Sequence, residues 1–248
     1  MWRASNHTQP KLQMNIFQLI KNNVPNSITC MNLMAGTLAV IAAFHCFNPW
    51  WWGLQGYQVA FIMIALAALF DFFDGLAARL LHAVSPLGKE LDSLCDLVSF
   101  GLAPAMILFG MMWQALDGSL LCYATLLIPV CGALRLAKFN ISTDQSTTFT
   151  GLPIPANAIF WIGFTAFYAQ QGNALPAWVV IVAIVVVSWL MISPLRMFSL
   201  KLHGFSLREA WRQLLLVVAF VAFVIIAGLP GLAWGILFYV VLSACTKS

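Results

Sequence analysis

The chain has 248 residues, 62% of them hydrophobic and 8% charged, with 12 Lys and Arg against 8 Asp and Glu. Soluble domains carry about a quarter charged residues, so this composition excludes a water-soluble globule. The net charge of +4 is small, and a nucleic-acid partner is not expected.

In chain order, residues 1–27 come first, a polar stretch in which Leu12, Ile16, Leu19 and Ile20 recur at helical spacing beside Lys11 and Lys21. The pattern predicts an amphipathic helix lying on the inner leaflet, with a disordered tail as the alternative. It does not read as a cleavable signal, because no small-residue cleavage site follows a short apolar core. No charged residue then lies between Lys21 and Asp71, between Asp144 and Arg196, or from Gln213 to Thr246, gaps of 49, 51 and 34 residues. About 20 apolar residues cross a bilayer, so each gap holds up to two helices and a turn. Helix breakers and interfacial aromatics mark the turns: Asn48-Pro49-Trp50-Trp51-Trp52-Gly53, Gln171-Gly172-Asn173 and Gly228-Leu229-Pro230-Gly231. Spans are predicted near residues 28–47, 57–81, 91–115, 119–139, 155–170, 175–193, 210–227 and 231–245.

The expected fold is therefore all-α: an integral-membrane, multi-pass bundle of about eight transmembrane helices plus the N-terminal interfacial helix. Residues 1–27 form the cytoplasmic N-terminal segment, 28–155 the core, and 156–248 additional transmembrane helices of the same domain. With an inside N-terminus, all 12 basic residues fall on the cytoplasmic side, as the bias of Lys and Arg in short loops requires. Six cysteines without a Cys-x-x-Cys pair read as apolar fillers, and His82 reads as an interfacial residue. No internal repeat of the kind that builds many transporters is visible.

Four of the 8 acidic residues, Asp71, Asp74, Asp92 and Asp96, fall within 26 consecutive positions. An Asp at a span centre costs roughly 2.5–3.5 kcal/mol, so four together call for a compensating role. Asp71 and Asp74 are i, i+3 and Asp92 and Asp96 are i, i+4, so each pair shares a helix face. The short link from Leu80 to Glu90 lets the two helices fold together, converging the carboxylates near the cytoplasmic end. They would repel strongly unless cations sit among them. Two divalent ions neutralise four carboxylates, and oxygen-only ligation favours Mg²⁺ or Mn²⁺, a pairing suited to in-line displacement at phosphorus. Gly75 and Ala78 leave room for a bulky ligand, Gly88 leaves room at the link, and Arg79 offers a planar cation to a phosphate. The same small residues would also let helices pack closely.

Read in full, Asp71-x2-Asp74-Gly75-x2-Ala78-Arg79-x8-Gly88-x3-Asp92-x3-Asp96 resembles, without departure, the signature of the CDP-alcohol phosphotransferase family. Pro25-Asn26-x2-Thr29-x2-Asn32, the run from Pro86 to Gly101, Arg135-Leu136-Ala137-Lys138-Phe139-Asn140 and Gly151-Leu152-Pro153-Ile154-Pro155 resemble its phosphatidylserine synthase branch. The resemblance covers about residues 25–155. It departs at Lys138, where a second Arg is expected, keeping the charge but not the bidentate fork.

The resemblance implies transfer of a phosphatidyl group from CDP-diacylglycerol to the hydroxyl of L-serine, releasing CMP. It implies that Asp71, Asp74, Asp92 and Asp96 hold two metal ions, with Asp96 the general base. Asp71, Asp74, Gly75, Ala78, Arg79, Gly88 and Asp92 would bind CDP-diacylglycerol, whose acyl chains lie in the membrane lipid. Relatives of this kind are commonly homodimers. No Ser-His or Cys-His arrangement calls for a covalent intermediate, so direct displacement is expected. The carboxylate of serine needs a cation on the cytoplasmic side; Arg135 and Lys138, i and i+3, are the candidates, with snorkelling at the interface as their alternative. Two other readings stay open: a phosphorylated acceptor such as glycerol 3-phosphate or an inositol phosphate, and a divalent-cation transporter.

Overall fold

A computed structural model describes residues 16–141, 149–197 and 207–245. Helix α1 (Ile16–Phe44) is followed by α2 (Gly56–Leu80). One long rod then comprises α3 (Pro86–Asp96), a π-helical segment (Leu97–Leu102) and α4 (Ala103–Ala115). A 3₁₀ turn (Leu120–Leu126) leads into α5 (Leu127–Ile141). After them come α6 (Ile154–Gln170), α7 (Ala177–Ile192), α8 (Leu207–Ala227) and α9 (Gly231–Cys245). The described strands are two-residue pieces, β1 (Phe149–Thr150) and β2 (Arg196–Met197), paired antiparallel.

Among the described residues, four helical stretches are long and apolar enough to cross a bilayer: Asn23–Phe44, Gly56–Leu80, Pro86–Ala115 and Leu120–Ile141. Ala177–Ile192, Gln213–Ala227 and Gly231–Cys245 are apolar but shorter. The chain is thus an all-helical membrane protein apart from the β1–β2 bridge. Of the N-terminal segment expected to lie on the inner leaflet, residues 1–15 fall outside the described residues. From Ile16 the chain is helical and runs unbroken through Pro25 into the first apolar stretch.

Lipid tails are as apolar as leucine, so membrane helices associate mainly by close packing of small residues. Helix α1 presents a buried stripe of Ala35, Gly36, Ala39, Ala42 and Ala43. At its end, a Cβ on Gly56 of α2 would overlap the Ala42 carbonyl, and one on Gly110 of α4 would stand 3.0 Å from the Ala43 carbonyl. Larger side chains point outward: on α2, Ala60, Ile64 and Ala67 are buried while Ile62, Leu69, Phe72 and Phe73 are exposed, as on a lipid-facing surface.

The π-helical segment has a readable cause. Pro104 carries no N–H, so the Phe100 carbonyl lacks its ordinary α-helical donor, and the proline ring crowds that carbonyl. In a bilayer such a group must find a partner inside the protein. Asn157 of α6, fully buried, donates from Nδ2 to the Phe100 carbonyl at 2.9 Å and accepts from Trp161 Nε1 at 2.9 Å. The widened turn begins directly after Asp96 and contains Ser99, which faces α1.

Candidate functional site

Asp71 and Asp74 occupy the last turns of α2, and Asp92 and Asp96 the middle and end of α3. The link between the helices is fixed by local chemistry. Helix α2 closes with Leu81 donating to the Ala77 carbonyl and Ala83 donating to the Ala78 carbonyl, both at 2.9 Å. Ser85 then caps α3, its side chain accepting from the Gly88 N–H at 3.0 Å, with Pro86 at the first helical position.

This turn brings the predicted carboxylates together. One oxygen each from Asp71, Asp74 and Asp92 lies within 4.8 Å of the others. Asp96 sits one turn deeper, 8% exposed, with Asp71 within hydrogen-bonding reach. Its Oδ1 accepts from Asn32 Nδ2 at 3.4 Å, and Asn32 Oδ1 accepts from Ser99 Oγ at 2.6 Å. Ser99 thus holds Asn32, and Asn32 holds Asp96. A Cβ on Gly36 would overlap Ser99 Oγ, so the contact also depends on a glycine in α1.

A cleft of about 280 Å³ opens against the three clustered carboxylates. Helix α1 contributes Pro25, Asn26 and Thr29, α2 contributes Asp71, Asp74, Gly75 and Ala78, the link contributes Ala83 to Ser85, and α3 contributes Gly88, Lys89 and Asp92. Gly75 faces open space: a Cβ there would meet only Arg79 Nη2, at 3.9 Å. Gly88 sits more tightly, 3.1 Å from Asn26 Oδ1 and Ser85 Oγ measured from a Cβ position. Arg79 is exposed and does not line the cleft; its Nε donates back to the Gly75 carbonyl at 2.9 Å.

The donor set fits a hard divalent cation. Asp74 is 6% exposed, and its buried Oδ2 has no hydrogen-bond partner among the described residues. An anionic oxygen in that position is costly unless a cation reaches it. Oxygen donors only, within ion-sharing distance, suit Mg²⁺ or Mn²⁺ better than zinc. The Asp71, Asp74 and Asp92 cluster could therefore hold a metal ion, with Lys89 and the open Gly75 face left for an anionic ligand.

The acceptor-side candidates separate. Arg135 is half-buried on α5, with Asp96 and Tyr239 of α9 as electrostatic neighbours, and its buried Nε has no acceptor among the described residues. Lys138, three residues on, is exposed. The end of α5 is tied to α3 by Lys89 Nζ donating to the Asn140 carbonyl at 3.2 Å and Asn140 Nδ2 donating to Ser93 Oγ at 3.0 Å.

Sequence reasoning did not assign roles to Asn32, Ser99, Lys89 or Tyr239. Asn26, Thr29 and Asn32 did carry a signal, since polar residues recurring every third position mark one face of an otherwise apolar helix.

A family model described as CDP-alcohol phosphatidyltransferase matches residues 22–190. The chain is 40% identical over 135 residues to the CDP-diacylglycerol–serine O-phosphatidyltransferase of Bacillus subtilis, covering 54% of this chain and 70% of that one. It is 35% identical over 192 residues to the protein of the same name from Mycobacterium leprae, covering 74% and 60%. With the archaetidylserine synthase of Methanothermobacter thermautotrophicus it shares 33% over 156 residues, covering 61% and 62%. The chain thus spans roughly three fifths to seven tenths of the length of these relatives. Matched over more than half its length by the family model, and carrying the four aspartates of the signature on one folded helix pair, the chain belongs to the CDP-alcohol phosphatidyltransferase family.

Proposed function

We propose that this protein transfers the phosphatidyl group of CDP-diacylglycerol to the hydroxyl of L-serine, giving phosphatidylserine and CMP. The observation that carries the reading is the gathering of Asp71, Asp74 and Asp92 on a cleft walled by Gly75, Ala78 and Gly88. The choice of serine is supported by relatives whose names specify serine transfer, at 33–40% identity.

Asp71, Asp74, Asp92 and Asp96 would hold two divalent ions, Mg²⁺ or Mn²⁺, which when bound stabilise charge on phosphoryl oxygens. The residues do the rest. Gly75 and Ala78 leave the α2 backbone open to the cytidine diphosphate, and Gly88 does so on α3. Lys89 adds a positive charge on the cleft wall, and Arg79 can swing from Gly75 to a phosphate oxygen. The exposed Phe72 and Phe73 border the acyl chains in lipid. Asp96, oriented by Asn32, takes the proton of the serine hydroxyl as its oxygen attacks phosphorus. The phosphorus–oxygen bond to CMP breaks in the same displacement, without a covalent enzyme intermediate. Arg135 receives the serine carboxylate, with Lys138 as an outer charge at the interface.

The membrane arrangement in this reading has eight crossings, with residues 28–155 as the core and 156–248 as added helices of the same domain. The cleft faces the cytoplasm, because an inside N-terminus brings the basic residues there. The working unit is a homodimer, a point resting on the family resemblance alone; light scattering of the detergent-solubilised protein tests it. The reaction is tested by supplying labelled L-serine, glycerol 3-phosphate and an inositol phosphate one at a time with CDP-diacylglycerol. The reading requires labelled phosphatidylserine from serine. Product from a phosphorylated acceptor alone would keep the family and overturn the acceptor.

A further inference from the structure

Helix α9 lies beyond the residues that the family model matches. In this apolar helix Tyr239 and Ser243 are i, i+4 and so share a face. Both are buried, at 6% exposure. The helix is seated by close packing: a Cβ on Gly163 of α6 would overlap the Ala233 backbone N, and one on Gly235 would overlap the Phe220 ring. Its two hydroxyls therefore have a defined place in the bundle. The Tyr239 phenol stands beside Ser243 and within electrostatic range of Arg135. Arg135 is in turn an electrostatic neighbour of Asp96, and its buried Nε has no acceptor among the described residues.

A guanidinium whose Nε has no acceptor among the described residues, with a phenol and the proposed base both within its electrostatic range, forms a half-built anion site. Among the described residues, Arg135 is the positive charge within electrostatic range of Tyr239; a single cation matches a carboxylate, whereas a phosphate dianion calls for more than one. A carboxylate there would take two hydrogen bonds from the guanidinium fork and a third from the phenol.

We propose that Tyr239, supported by Ser243, is a specificity residue for the acceptor: with Arg135 it holds the carboxylate of the amino-acid alcohol and directs the hydroxyl toward Asp96. This rests on the serine-transfer reading above. It gives the last helix a role in selecting acceptors that carry a carboxylate next to the attacking hydroxyl.

The test is Tyr239→Phe, which keeps the ring and removes only the hydroxyl. KM and kcat are measured for L-serine, KM for CDP-diacylglycerol, and turnover with serinol, which has a hydroxymethyl group in place of the carboxylate. Loss of one hydrogen bond to a charged group corresponds to about ten- to a hundredfold in affinity. The expected result is a rise of about tenfold or more in KM for serine, with KM for CDP-diacylglycerol unmoved and the preference for serine over serinol reduced by a similar factor. Ser243→Ala moves the same KM in the same direction by less, and decides the matter if Tyr239→Phe does not purify as a folded protein. An unchanged KM for serine, or an equal loss with serine and serinol, overturns the inference while leaving serine transfer intact. Wild-type protein that makes no phosphatidylserine but transfers to a phosphorylated acceptor overturns both.

Discussion

The contact between α6 and the π-helical segment gives a prediction whose size can be worked out. In Asn157→Leu the side chain stays large and apolar, but the Phe100 carbonyl and the Trp161 indole N–H each lose the partner that sits at 2.9 Å. Hydrogen bonds between membrane helices average only about 0.6 kcal/mol, because the separated helices find other partners. That discount suits the indole. It does not suit Phe100, whose α-helical donor position is Pro104 and whose carbonyl stays buried; an orphaned buried acceptor costs about 1–3 kcal/mol. The sum is about 2–4 kcal/mol, measured by SDS titration in mixed micelles. The double variant with Pro104→Ala supplies an N–H in the helix itself and recovers part of the loss. Wild-type stability in Asn157→Leu, or no recovery in the double variant, would refute the explanation of the π-helical segment.

Two glycines should separate fold from function. Gly75→Ala adds a methyl group to open space and gains up to about 1 kcal/mol of helix propensity, yet weakens CDP-diacylglycerol binding in an equilibrium assay because the methyl enters the cleft. Gly163→Ala, overlapping the Ala233 backbone, lowers thermal stability by about 1–3 kcal/mol. Asp74→Asn keeps the shape but removes the charge on the buried oxygen, and lowers Mn²⁺ affinity, read by electron paramagnetic resonance, by about 100-fold or more, since even residues that only orient a metal ligand cost about 10- to 100-fold. Ser99→Ala leaves Asn32 without its 2.6 Å donor; kcat falls about tenfold with KM for both substrates unchanged, as loss of about one hydrogen bond to a positioning residue would give.

Legibility in the sequence followed the range of the interactions. The charge gaps marked where the helices lie, because a carboxylate or ammonium inside lipid is penalised wherever it falls. Asp71 with Asp74 and Asp92 with Asp96 could be assigned to shared faces from helical period alone, and the short link from Leu80 to Glu90 implied that the faces meet. What stayed hidden depends on partners far apart in the chain. The π-helical segment needs Asn157 to satisfy Phe100, 57 residues away. The bond from Asn32 to Asp96 spans 64 residues. Neither distance leaves a periodic trace. Tyr239 was invisible for the same reason, being one of three aromatics in an apolar helix until the fold brings it within electrostatic range of Arg135. Arg79 is the converse case: its motif suggested a phosphate grip, while in the structure it rests on the Gly75 carbonyl of its own helix.

Metal-dependent transfer to serine with Asp96 as the base is decided by comparing wild type with Asp96→Asn. Purified protein is given CDP-diacylglycerol and labelled L-serine, with Mg²⁺ or Mn²⁺ or with a chelator, and CMP and labelled lipid are counted. The account predicts metal-dependent phosphatidylserine and CMP in equal amounts from the wild type. It predicts a loss of about 100-fold or more in Asp96→Asn, with CDP-diacylglycerol still bound. Phosphatidylserine formed at an undiminished rate by Asp96→Asn, or by the wild type in chelator, would contradict it.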